Sequence, residues 1–257
     1  MAPIRSIVGR VSAQFGTQSV TVYPFIDGQI GIEMRLSDQS WRALGRFARQ
    51  LHRTVIPAEL ANAIPSETYR PPEIETIPRI DAAVVERIDR DGPGRRVVEV
   101  WRNHRVAILA LAERALALGD ALRRRALPLV PCHADMHTGN LIIDLDERLW
   151  VIDWDEVVMA PKERDLMFAV GGGISTKLVS PNATARFLEG YGDVEIDREA
   201  LAYYRHAWAV QDVGGYAWRV LLDASATIAQ RDDAAEILVG LFKPDEIVDL
   251  ATRSLAT

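Results

Sequence analysis

Residues 132–156 read Cys-His-Ala-Asp-Met-His-Thr-Gly-Asn-Leu-Ile-Ile-Asp-Leu-Asp-Glu-Arg-Leu-Trp-Val-Ile-Asp-Trp-Asp-Glu. His133, Asp135 and Asn140 stand at the spacing H-x-D-x-x-x-x-N. Two short apolar runs, Leu141–Ile143 and Leu149–Ile152, flank a turn at Asp146-Glu147. A hairpin folded there returns Asp153 to the side of Asn140. Loop acid, loop amide, strand, turn, strand, acid is a specific order, and it points to phosphoryl transfer from a nucleotide. Asp135 would orient or receive the proton of an acceptor hydroxyl, while Asn140 and Asp153 offer oxygen ligands that suit Mg²⁺.

The rest of the composition bounds this reading. A chain of 257 residues with 48% hydrophobic and 26% charged content can bury a substantial core. Its net charge of −6 argues against a general nucleic-acid binder and suits a cationic small molecule. One cysteine, Cys132, excludes an intramolecular disulfide and fits a reducing compartment. The first residues lack the apolar core of a signal peptide, and no apolar run is long enough to span a bilayer, so a cytoplasmic protein is expected.

Outward from the central stretch, the pattern is mostly helical. Ser37 is placed to cap a helix over 38–53, whose Trp41, Leu44, Phe47, Ala48 and Leu51 form one apolar stripe. Helices are predicted over 80–89, 99–126 and 162–170, and near 181–190, 198–222, 232–242 and 245–254, with a glycine-run stop at 171–173. Five prolines between Pro57 and Pro78 predict a loop or short turns, and Asp91-Gly-Pro-Gly94 a breaker. At the start, Ser19–Ile26 reads as a strand ended by Pro24, with 4–11 as its partner across a turn at 14–18.

Two other readings of the central stretch compete. Asp135 and Asp153 could be plain turn residues, although the spacing is met in full. His133, Asp135 and His137 also spell H-x-D-x-H, a metal-hydrolase arrangement that Asp153 or Asp155 would complete. Against it, His52, His104 and His206 are the only other histidines, and they form no further ligand cluster in the sequence. His133 reads better as a buried ring that orders its loop, and Cys132 as a small core residue.

Cys132–Asn140, Ile152–Glu156 and Ala160–Phe168 together resemble the aminoglycoside phosphotransferases. Glu189–Gly192, Tyr203–His206 and Gln211–Val213 are similar to the spectinomycin branch of that family. The resemblance implies an α+β, protein-kinase-like fold: a mainly helical large lobe with a catalytic hairpin. It implies ATP and Mg²⁺ as cofactors, Asp135 as catalytic base, and Asn140 and Asp153 as metal ligands. Tyr23, Phe25 and Ile26 would form the nucleotide hinge, and Asp165 and His133 would brace the catalytic loop. Asp155 and Glu156 would face a cationic acceptor such as an aminocyclitol; neither nucleic acid nor a membrane is an expected partner.

The sequence departs from that family at its beginning. No lysine precedes Lys162, and Gly9, Gly16, Gly28 and Gly31 form no glycine-rich phosphate loop. Residues 1–27 therefore read as the remnant of a small lobe and 28–257 as the large lobe. A hairpin near 4–26 would leave an unpaired edge, which predicts self-association through it. The alternative to an active phosphotransferase is a non-catalytic, ligand-binding relative.

Overall fold

The computed structural model describes residues 2–86, 92–170 and 179–254. Strands β1 (Ala13–Phe15) and β2 (Gln18–Val20) form a small antiparallel hairpin, exposed at every position. Its turn opens on Gly16 at φ 61°, the left-handed backbone that a glycine-first two-residue turn uses. The hairpin is thus displaced from the expected one. Strand β2 pairs with 13–15 rather than 4–11, and it ends at Val20, with Ile26 outside any ladder. What remains of the expected pairing is one bond, Ile4 N–H to Val22 O at 2.8 Å.

The chain then enters a three-stranded antiparallel sheet. Strand β3 (Gly28–Ile30), too short to show alternation, pairs with β5 (Leu141–Asp144), which pairs in turn with β6 (Leu149–Val151). The turn between β5 and β6 is locked by Asp144. Its Oδ1 accepts the N–H groups of Asp146 and Arg148, both at 2.9 Å, and its Oδ2 takes the Trp150 indole N–H at 2.8 Å. A separate ladder joins β4 (Val130–Cys132) to β7 (Val158–Ala160). The segments 133–140 and 152–157 are therefore the two loops that link one ladder to the other.

Helices supply the body. Ser37 caps α1 (Asp38–His52) through its hydroxyl, which accepts Ser40 N–H. After the short α2 (Ala58–Ala61), α3 spans Thr76–Glu86 and α4 spans Gly92–Arg123. The long helix thus starts seven residues earlier than the 99 expected. Pro93 sits in its first turn, where a missing N–H costs nothing. The helix expected over 162–170 shortens to α5 (Glu163–Leu166), and the glycine run at 171–173 lies outside the described residues. Then come α6 (Pro181–Tyr191), α7 (Arg198–Leu221), α8 (Ile228–Gly240) and α9 (Ile247–Arg253). The start of α8 moves upstream because Thr227 and Gln230 form a reciprocal capping box.

Helix α7 is the axis of the core. Ala200–Val210 is buried at every position, so this half of the helix is surrounded by protein rather than amphipathic. Helices α1 and α6 cross at a pair of glycines. A Cβ on Gly45 would lie 2.0 Å from Phe187 O, and one on Gly190 would lie 2.1 Å from Arg42 O. Both obstacles are backbone and cannot swing aside. Gly45→Ala should therefore destabilise the protein by about 2–3 kcal/mol, read as a lower denaturant midpoint with an unchanged slope.

Candidate active site

The loop between β4 and β5 is held from behind. Asp165, fully buried on α5, accepts His133 N–H at 3.0 Å on Oδ2 and Ala134 N–H at 2.7 Å on Oδ1. Buried His52, on the last turn of α1, places Nε2 3.0 Å from Asp165 Oδ2 and Nδ1 2.8 Å from the Tyr191 hydroxyl. Three donors from two segments thus converge on one buried carboxylate, which satisfies it and fixes Ala134 at φ 68°. The next residue in the chain is Asp135.

His133 is also fully buried. Its Nε2 lies 2.9 Å from Ile152 O, so that nitrogen must carry the proton, and Nδ1 accepts Asp135 N–H at 3.3 Å. Burial lowers its pKa and keeps the ring neutral. With both nitrogens used, it has no lone pair for a metal. His137 caps the short 3₁₀ turn 138–140 by accepting Gly139 N–H on Nδ1 at 2.9 Å. The H-x-D-x-H metal-hydrolase reading is therefore corrected: the first histidine is spent on the loop and the second caps a turn.

Asp135 and Asn140 form one unit. The Asn140 side-chain amide donates to Asp135 O at 2.8 Å and to Asp135 Oδ2 at 2.7 Å. Only the NH₂ group can serve two such acceptors, so the orientation of the amide is dictated by its neighbours. Asn140 Oδ1 is left with no protein donor among the described residues. Asp135 Oδ1 is buried and likewise has no hydrogen-bond partner, with His137 Nε2 3.5 Å away.

Asp153 follows β6 immediately. Ile152 N–H bonds to Asn140 O at 3.0 Å, which carries Asp153 next to the loop amide. Asp153 is exposed and adopts φ 61°, an uncommon backbone for a residue other than glycine. Asp153, Trp154 and Asp155 line a cleft of about 510 Å³ with Tyr23, Pro24, Phe25 and Ile26, closed underneath by Ile142 and Val151. Glu156 faces elsewhere, into a second and smaller cavity. The structure thus groups Tyr23, Phe25 and Ile26, the residues expected to form a hinge, with Asp153 and Asp155, and separates Asp155 from Glu156.

The donors suit a hard cation. The Asn140 amide oxygen and the Asp153 carboxylate, without protein donors among the described residues, are the all-oxygen set that Mg²⁺ takes. By contrast, His52, Cys132 and Asp165 lie close enough to suggest a buried metal site. Both oxygens of Asp165 are already bonded, and burial raises the Cys132 thiol well above its usual range, so the sulfur stays protonated.

Two residues that bear on the site, one from behind the loop, escape a reading of spacing alone. His52 continues the Trp41, Leu44, Ala48 stripe of α1, and a titratable group on a core stripe is the signal that marks it. Asp212, on α7, accepts the indole N–H of Trp208 and sits close enough to Asp135 to feel its charge. Packing among protein groups pushes its pKa up to about 7. Trp208 in turn meets Phe168 edge to face at 5.0 Å.

This fold, with its braced H-x-D-x-x-x-x-N loop, is that of a kinase-like phosphotransferase. Residues 4–230 match the model of the phosphotransferase enzyme family, and the chain belongs to that family. It is similar to spectinomycin phosphotransferase APH(9)-Ia solved with ADP and spectinomycin, with 28% identity, a TM-score of 0.89, and cover of 98% of this chain and 76% of that one. The AMP complex of the same enzyme gives 30% identity, a TM-score of 0.85, and cover of 97% and 77%. A Plasmodium vivax ethanolamine kinase shares the fold at 13% identity and a TM-score of 0.56, with cover of 95% and 68%. No curated protein matches the sequence. Among the described residues no helix is long and apolar enough to cross a membrane.

Proposed function

We propose that the chain is an ATP- and magnesium-dependent O-phosphotransferase whose acceptor is a hydroxyl on a cationic small molecule of the aminocyclitol kind. The observation that carries this reading is the state of Asp135. One carboxylate oxygen accepts from Asn140, and the other has no hydrogen-bond donor among the described residues, with His137 Nε2 3.5 Å away, so it is the oxygen left to accept a proton. In the proposed reaction Asp135 Oδ1 receives the proton of the acceptor hydroxyl as that oxygen bonds to the terminal phosphorus. ADP then leaves along the hinge cleft. Asn140 and Asp153 would hold Mg²⁺, which when bound neutralises phosphate charge. The proposal assigns Tyr23, Phe25 and Ile26 to the nucleobase, with residues 1–27 as a small-lobe segment and 28–257 as the large lobe.

Calorimetric titration with Mg·ATP tests it. Micromolar, magnesium-dependent binding that falls at least about 100-fold in Asp153→Ala is the expected result, since a charged ligand to the metal is removed. Binding indifferent to magnesium and to that substitution would refute it. A second reading is nucleotide binding without turnover. Phosphate release or transfer by a protein that binds Mg·ATP separates the two.

Asp212 adds a pH dependence to the same reading. With its pKa near 7, it is largely protonated below neutrality and charged above it. Its charged form, beside Asp135, is the one that attracts an acceptor ammonium. Affinity for tetramethylammonium, whose own charge is fixed, should rise several-fold between about pH 6 and about pH 8, and Asp212→Asn should abolish the rise. The sign for folding is opposite. An acid whose pKa is raised by folding withdraws stability as pH climbs from the ordinary carboxylate range through 7.

A further inference from the structure

Beyond the hinge cleft, a second cavity of about 190 Å³ opens behind the catalytic loop. It is bounded by the segment 66–72, by Ala134 and Glu156, and by Arg164, Tyr204 and Gln211 from α5 and α7. The segment 66–72 is fixed there, since Glu67 N–H bonds to Met159 O at 2.9 Å and Ser66 bridges the same residue.

Tyr204 and Arg164, both on this cavity, are donors with no acceptor among the described residues. Tyr204 is 1% exposed, and its hydroxyl has no hydrogen-bond partner. A buried polar group left unpaired costs free energy, and Tyr204 lines this cavity, so a small acceptor lodged there would relieve that cost. Burial drives its pKa far above the ordinary phenol value, which keeps it a neutral donor. Arg164 is the second. Its guanidinium lies over the Trp208 ring at 5.2 Å and the Tyr204 ring at 5.8 Å, and it makes no ion pair among the described residues. Stacking on two rings orients the guanidinium and leaves its N–H edge for an anion.

The acids on the same wall differ in state. Glu67 Oε1 is engaged by Tyr69 N–H at 2.6 Å, and Glu156 is exposed to solvent. The other cation, Arg70, is already paired with Glu75. The unmet demand is therefore for an acceptor, and Glu156 leaves room for a positive group on the same molecule.

We propose that this cavity binds a small oxyanion-bearing molecule, a carboxylate or a phosphate, through the Arg164 guanidinium and the Tyr204 hydroxyl. The site is distinct from the nucleotide cleft but adjoins it. Asp155 lines one and Glu156 lines the other, and Ala134 on its wall precedes Asp135. Occupancy would press on the backbone that carries the proposed base.

The test is thermal unfolding of the full chain at fixed ionic strength with acetate, glycine or inorganic phosphate, sodium chloride serving as control. Any oxyanion that binds raises Tm progressively with its concentration. The expected result is such a rise with at least one probe, with the apparent affinity about tenfold weaker in both Arg164→Gln and Tyr204→Phe. A response to acetate and glycine assigns a carboxylate ligand, and a response to phosphate alone assigns a phosphate. Tyr204→Phe keeps the ring and deletes only the unpaired hydroxyl, so without ligand it should be at least as stable as the parent. No rise with any probe overturns the proposal, as does a rise that both variants retain. Neither readout depends on phosphotransfer, so the proposal stands or falls apart from the proposed activity.

Discussion

Asp135→Asn is expected to lower turnover by about 10²–10⁴-fold while leaving the fold intact. The substitution is nearly isosteric. Its oxygen can still accept from Asn140 at the place where Oδ2 now does, at 2.7 Å. Its NH₂ replaces the buried Oδ1 that has no partner, so folding loses no hydrogen bond. Stability should be unchanged or slightly higher, a pattern that marks a group held against its own interest for the sake of chemistry. Single-turnover measurements on Mg·ATP and acceptor, set beside a chemical denaturation curve, check both halves. A variant with full turnover would remove Asp135 from its proposed role. A variant that unfolds would make it structural.

The opposite pattern is expected for Asp165→Ala. This carboxylate accepts two backbone N–H groups and faces the ring of His52, all out of contact with water. Deleting it leaves those groups buried and unpaired, and the expected loss is about 3–5 kcal/mol of stability. It also releases Ala134 from its left-handed backbone, so the proposed base beside it loses its aim. Denaturation should show the loss directly, and hydrogen exchange should show deprotection centred on residues 133–135. A variant within about 0.5 kcal/mol of the parent would contradict this account, because a surface acid behaves that way.

The legible and illegible parts of this chain differ in the range of the contacts that define them. The hairpin around Asp144 could be read because its alternation, its turn acid and its flanking apolar runs are all local. The same holds for α1, whose cap and stripe lie within one segment. Strand β3 could not be read: its three residues gain strand character only by pairing with β5, more than a hundred positions away. The N-terminal hairpin forms a few residues away from the expected register because several short β-prone stretches compete there, with no buried face to select one register. At the site, Asp135, Asn140 and Asp153 share one local motif, whereas His52 and Asp212 reach it from separate helices. Their spacing along the chain says nothing about that meeting.

The bracing of the catalytic loop has a consequence for how such a protein can diversify. Asp165, His133 and His52 hold the loop from the buried side. Asp155 and Glu156 stand exposed on two different cavities, and Asp212 approaches Asp135 from α7. The groups that would aim the proposed base and the groups that would meet an acceptor are different residues, with different neighbours. Selection can rewrite the second set while the first stays fixed. Appetite for new hydroxyl compounds then becomes a matter of surface drift, reached without a detour through misfolded intermediates.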